Sequence, residues 1–373
     1  MIKYNKNAYI KSDILPVDIV FHPSWWNKHA GIIFDEDFYY HPFKRVEVER
    51  RMEKELYERF GKWGLGQERD KNLPVTGAVH NAAGYLLSEM LGCQVEYKGD
   101  SAPQVIPEGM EELKADAEGA FRSKAFKRFE NLLDGLKAKY GYITGDVNWG
   151  GVLNIAMDLA GENVFMDFYT NPEKTKEQFR AIAGVIEKFV TGLSKETGTS
   201  SVSVNRNVSH IEKPVFLHSE CSHTMIATEQ YEEFLLPIDL EWSKKYRPFG
   251  IHYCGNDPHR YAASFAKIKN LDFLDVGWGG DVKELRKHLP HTFLNIRLDP
   301  VSISNYTNRE LEKIIIQLVE DSGNPYLTGV CCINMDDKVE DLTINTIFMA
   351  VENLRERIEI NSDIRYRISS SSI

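Results

Sequence analysis

The chain has 373 residues, 42% of them hydrophobic, enough for one large domain or two modest ones around a sizeable core. Its formal net charge of −10 (45 basic against 55 acidic residues) would repel phosphates and argues against a nucleic-acid partner. No apolar run reaches the roughly 18–20 residues that span a bilayer, and no signal-peptide core is visible, so a cytoplasmic protein without a membrane partner is expected.

Five cysteines, Cys93, Cys221, Cys254, Cys331 and Cys332, are few and odd in number, which suits reduced thiols better than a disulfide framework. In chain order, residues 1–70 read as an N-terminal extension packing on the main domain. It carries aromatic clusters (Trp25-Trp26, Phe38-Tyr39-Tyr40) and an amphipathic helix over 46–60 that Gly61 ends. From about residue 75, short apolar runs alternate with longer helical patterns. Strands are expected at 142–147, 200–204, 215–218, 249–254, 273–276, 292–296 and 326–333. Helices are expected at 110–140, 172–196, 228–246, 258–267, 282–288, 308–322 and 339–357.

Such alternation argues for parallel βαβ units. With seven or eight of them, an α/β fold closed into a (β/α)8 TIM barrel over 71–360 is the economical answer, with 361–373 as a disordered tail. An open doubly wound sheet is the alternative, but no Gly-x-Gly-x-x-Gly follows a first strand.

In a parallel barrel, chemistry sits at the C-terminal ends of the strands. His252 and Cys254 are two positions apart at one such end, so their side chains point the same way and can grip one soft ion. A third soft ligand from a later strand would make a zinc site with one position open. Cys331 and Cys332 are adjacent and must face opposite ways; counting along the strand leaves open which faces inward. Asp275 and Glu220 end apolar runs and read as a fourth ligand or a proton donor, against a helix cap or a solvated acid. His210, His218 and His223 fall within fourteen residues and read as donors that orient ligands, against ordinary polar loop residues. The segment 145–151, with Asn148 and Trp149, could cradle an anion, although close backbone packing is the plainer use of its glycines. Trp25, Trp26, Phe38, Tyr39, Trp149 and Trp278 are expected near the entrance, suiting a flat substrate.

Several stretches then form a pattern: Phe249-Gly250-Ile251-His252-Tyr253-Cys254-Gly255-Asn256; Gly161-Glu162 before Asn171-Pro172-Glu173; Tyr231-Glu232-Glu233-Phe234-Leu235-Leu236-Pro237; and Thr328-Gly329-Val330-Cys331-Cys332-Ile333. Over about residues 75–360 the chain resembles the uroporphyrinogen decarboxylase superfamily, whose fold is the expected barrel. The Arg-rich N-terminal strand of the true decarboxylases has no counterpart here. The resemblance therefore points to the zinc- and corrinoid-dependent methyltransferases, and the block 37–47 is similar to the subgroup that demethylates methoxylated aromatics (O-demethylases).

That resemblance implies zinc on His252, Cys254 and Cys331 (Cys332 if the register differs), with Asp275 as a fourth ligand. Two thiolates and an imidazole favour zinc over magnesium or calcium. Zinc would polarise the ether oxygen; Glu220 could instead donate a proton. Asn148, Trp149, His210, His223 and Trp278 are the expected substrate contacts. The implied reaction moves a methyl group from a methoxylated aromatic compound to the Co(I) corrinoid (cobalamin) of a corrinoid-binding partner protein, and it admits a homodimer. The alternatives are a methyl-corrinoid:thiol (coenzyme M type) methyltransferase, a decarboxylase, or a non-catalytic corrinoid-docking scaffold.

Overall fold

A computed structural model describes residues 14–67, 74, 85–145, 149–198, 211, 213 and 215–370, with side chains as far as residue 358. Among these residues, six parallel strands form one curled sheet: β1 (Val17–Phe21), β4 (Phe216–Ser219), β5 (Phe249–His252), β6 (Leu271–Val276), β7 (Phe293–Arg297) and β8 (Thr328–Met335). Their spatial order is β1-β8-β7-β6-β5-β4. Two short strands, β2 (Gln94–Glu96) and β3 (Gln104–Ile106), make a separate antiparallel pair. The fold is thus α/β, a partial barrel with helices packed outside. The expected strand at 200–204 lies outside the described residues, as does the end of the one at 142–147.

The strands read as apolar runs because both of their faces are covered: every residue of β4, β5, β6 and β7 is buried. Side chains alternate between two cores. Leu217, Phe273 and Phe293 pack together in one cluster, while Leu274, Leu294 and Val330 pack in the main core with the helices. The same alternation resolves the Cys331–Cys332 ambiguity. Cys331 clusters with Val20 and Ile333, whereas Cys332 belongs to the main core.

Helix boundaries follow local chemistry. Asn308–Ser322 opens on a capping box in which Thr307 and Glu310 satisfy each other's backbone N–H, and it closes on Gly323 at φ 65°. The single helix expected over 110–140 is two, Ala117–Ala120 and Lys124–Tyr140, because the Ser123 side chain accepts from Phe126 N and restarts the chain there. The expected tail is occupied in part by the last helix, Asp341–Ser370.

The N-terminal region is not merely applied to the barrel. β1 is a member of the sheet, paired with β8 so that Asp18 stands beside Cys331. Trp25, Trp26, Phe38 and Tyr39, expected near an entrance, are core residues with at most 2% exposure. Trp25 packs 4.1 Å from the Phe21 ring. A hydrophobic cluster next to a helix is equally well explained by burial, and here burial decides. Deep in this region Arg45 and Glu49 form a fully buried pair, Nη2 to Oε1 3.1 Å, with the guanidinium over the Phe38 ring.

Candidate metal centre

Sheet register stacks the site in layers. Ser219, His252, Asp275, Asn295 and Gly329 are successive partners across β4 to β8 and form one layer. Two residues further along the chain come Cys221, Cys254, Arg297 and Cys331. Arg297 pairs with Cys331, which pairs in turn with Asp18. Strand period alone therefore brings these groups to the C-terminal end of the sheet. Gly329 is part of the design: a Cβ there would lie 2.9 Å from Asn295 Oδ1, so only hydrogen leaves room for that amide.

Among the described residues, Cys221, His252 and Cys254 bring their ligand atoms within 4.8 Å of one another. His252 Nε2 is 2.7 Å from Cys254 Sγ, which is 2.7 Å from Cys221 Sγ. The other ring nitrogen, Nδ1, is 2.7 Å from Asp275 Oδ2, and Asn295 Nδ2 donates to Oδ1 at 2.8 Å. Two sulfurs and an imidazole nitrogen, with a carboxylate behind the imidazole, are the donor set of a three-ligand zinc site and its orienting shell. The residues present fit that ion.

The charges agree with this reading. Cys254 is held well below the usual thiol range: the hydrogen bond from Cys221 and the His252 charge outweigh burial. Cys221, its partner, is pushed well above by that hydrogen bond and by burial. Burial works against a charged His252, yet Cys254 and Asp275 raise it to about 9. Metal binding must displace these protons.

The fold has been seen before. A methyltransferase from Methanosarcina mazei superposes with a TM-score of 0.63 at 11% identity, over 92% of this chain and 95% of that one. A B12-independent methionine synthase from a Shewanella species gives 0.41 at 10% identity over 60% of this chain and 66% of that one, too low to argue from. No protein-family model and no curated protein matches the sequence. At these identities the likeness establishes the fold.

The structure differs from the expected ligand set at Cys331 and Asp275. Cys331, the expected third ligand, is not in the three-residue group; its Sγ lies 3.9 Å from Asp275 Oδ1, and burial and that carboxylate push its thiol well above the usual range. Cys221 stands with His252 and Cys254 instead. Cys332 faces away into the main core. Asp275, expected as a fourth ligand, spends both oxygens on His252 and Asn295.

Glu220 is fully buried, and its carboxyl lies over the start of the helix Val152–Ala160: Oε1 accepts from Leu153 N at 2.7 Å, and a Cβ on Gly151 would lie 2.1 Å from it. Oε2 has no hydrogen-bond partner, and burial raises the carboxyl above the ordinary range. Behind it, His218 links Glu220 Oε1 (3.2 Å) to Asp239 Oδ1 (2.6 Å), and Tyr231 OH donates to Asp239 Oδ2 at 2.7 Å. Val152 N also lies 3.3 Å from His218 Nε2, but a ring that is raised to about 9 by Asp239 and Glu220 against burial donates to Glu220 rather than accepting.

Of the expected substrate contacts, Trp149 is buried with its ring stacked 6.3 Å from His218, so it supports that histidine. His223 is buried among Tyr231, Tyr253 and Tyr261, its ring nitrogens without hydrogen bonds and its pKa driven well below the ordinary value by burial. Trp278 remains part-exposed near the site, beside Arg297. Asn148 and His210 lie outside the described residues.

Two residues at the site had no sequence signal strong enough to single them out. Cys221 sits just past a strand end; His223, two positions on, gives only a weak spacing cue, and its ring lies among Tyr231, Tyr253 and Tyr261 rather than with the thiol. Arg297 looks like an ordinary strand-terminal base; only the register, which seats it beside Cys331, reveals its place.

Proposed function

We propose that this protein is a zinc-assisted methyltransferase of the uroporphyrinogen decarboxylase type. In this reading it moves a methyl group from a methoxylated aromatic compound to the Co(I) corrinoid of a partner protein. The observation that carries the reading is the convergence of Cys221, His252 and Cys254 at the C-terminal end of a parallel sheet. The fold shared with a methyltransferase supports it. Zinc, when bound, supplies a Lewis acid for the ether oxygen, and the partner's corrinoid supplies the nucleophile that takes the methyl group.

The chain's own residues do the rest. Cys221, His252 and Cys254 would hold the ion, and Asp275, bonded to Nδ1, fixes the imidazole and leaves Nε2 on the side of the two sulfurs. Asn295 holds Asp275 from the far side. Glu220, whose carboxyl burial shifts upward toward the neutral acid, would deliver a proton from Oε2 to the departing oxygen.

The test is to measure zinc in the purified protein, then methyl transfer from a methoxybenzene to cob(I)alamin with a corrinoid protein supplied. About one zinc per chain and methoxyarene-dependent transfer are expected. Transfer that runs only between methylcobalamin and a thiol would establish the coenzyme M type reaction instead. Absence of both activities in zinc-loaded protein would overturn methyl transfer altogether.

A further inference from the structure

Two arginines near the sheet differ in how their donors are used. Arg286 is the reference: its three guanidinium nitrogens donate to the carbonyls of Ser322, Leu289, Thr292 and Leu327 at 2.8–2.9 Å. That side chain is a structural clamp. Arg297 is more deeply withdrawn from water than the part-buried Arg286, with 3% exposure; it bonds the Cys254 sulfur, yet its Nε and Nη1 have no hydrogen-bond partner. Buried, charged donors left idle are costly, and such groups persist where something else satisfies them.

The surroundings say what kind of group that is. Arg297 ends β7 at the site layer, level with Cys331. The Trp278 ring lies 5.3 Å from its Cζ and so braces the guanidinium on one side. Trp278 and Cys254 are part-exposed, which places the arginine beside a route from solvent. A guanidinium has only donors to offer, in a planar array that matches oxyanions.

We propose that Arg297 binds an oxyanionic group, a carboxylate in the first instance, on the substrate of this site. The inference rests on the reading of the Cys221–His252–Cys254 group as the active site and deepens it: the aromatic substrate is an acid, and its charge is read by Arg297.

The experiment is equilibrium binding, by calorimetry, of benzoate, benzenesulfonate and neutral benzamide to the zinc-loaded full chain. Benzoate is expected to bind at least about tenfold more tightly than benzamide, as a charge-assisted pair would give. R297Q should bind the two alike, and R297K should keep part of the preference. The benzenesulfonate arm separates a site shaped for planar carboxylates from one that takes any oxyanion. Equal binding of benzoate and benzamide to the natural protein would overturn the proposal. So would a preference that survives in R297Q, since the ion itself would then be selecting the anion. R297K, which keeps the charge, guards against a glutamine variant that folds poorly: loss of the whole preference in well-folded R297K also counts against the proposal. Methyl transfer is read in a separate assay, so its failure leaves the binding result standing.

Discussion

His252 is held from both ends, by Asp275 at Nδ1 and Cys254 at Nε2, each 2.7 Å away. A ring fixed this way presents one nitrogen to an ion and cannot rotate out of reach. Asp275→Asn removes the charge that orients it and is expected to weaken zinc binding about 10–100-fold, as loss of such a partner typically does. Competition against a zinc chelator measures this directly.

Cysteine exchange separates the two candidate ligand sets. Cys221→Ser and Cys254→Ser are each expected to lose most of the bound zinc, while Cys331→Ser keeps it, because Cys331 packs against Asp275 rather than with the other three donors. Metal analysis of the three purified variants decides. Retention in Cys221→Ser with loss in Cys331→Ser would return the third ligand to the last strand.

Stability should fall on the alkaline side through His218. Its pKa is raised to about 9 by Asp239 and Glu220 in the fold, against 6.5 as the ordinary value. A raised histidine contributes stability in full below about 6.5 and loses it as pH climbs through about 9, a swing of at most about 3 kcal/mol. Urea denaturation between pH 6 and 10 should show that decline, and His218→Gln should make it shallower, leaving the part that His252, also raised to about 9, contributes.

Gly151→Ala forces a methyl group against the Glu220 carboxyl, 2.1 Å from Oε1. We expect a loss of about 1–3 kcal/mol in urea unfolding and a fall in methyl-transfer rate. Glu220→Gln, which keeps the shape and loses the acid, should lower the rate while leaving zinc content unchanged.

Glu49→Ala leaves Arg45 as an uncompensated charge, since both side chains have no exposure to solvent. Breaking such a pair typically costs about 3–5 kcal/mol, measurable as a shift in the urea midpoint.

Period-two reasoning was enough to place His252 and Cys254 on one face at a strand end, and strand–helix alternation was enough to give the parallel architecture. What escaped the sequence depends on neighbours distant along the chain. Cys221 and Cys254 are thirty-three residues apart and meet only because β4 and β5 pair in the register that sets Ser219 beside His252. The Trp25-Trp26 pair misled for the opposite reason. Aromatic residues serve a core and a substrate equally, and nothing local tells the two apart until β1 is seen inside the sheet.

The two loops that leave β5 and β6 touch backbone to backbone: a Cβ on Gly277 would fall 1.6 Å from the carbonyl oxygen of Gly255. No side chain of any size can be wedged there. Cys254 and Trp278 each stand one residue from that crossing, so their loops are packed without a gap. A ligand that presses the tryptophan toward this crossing therefore meets the loop that carries Cys254 with no slack between them.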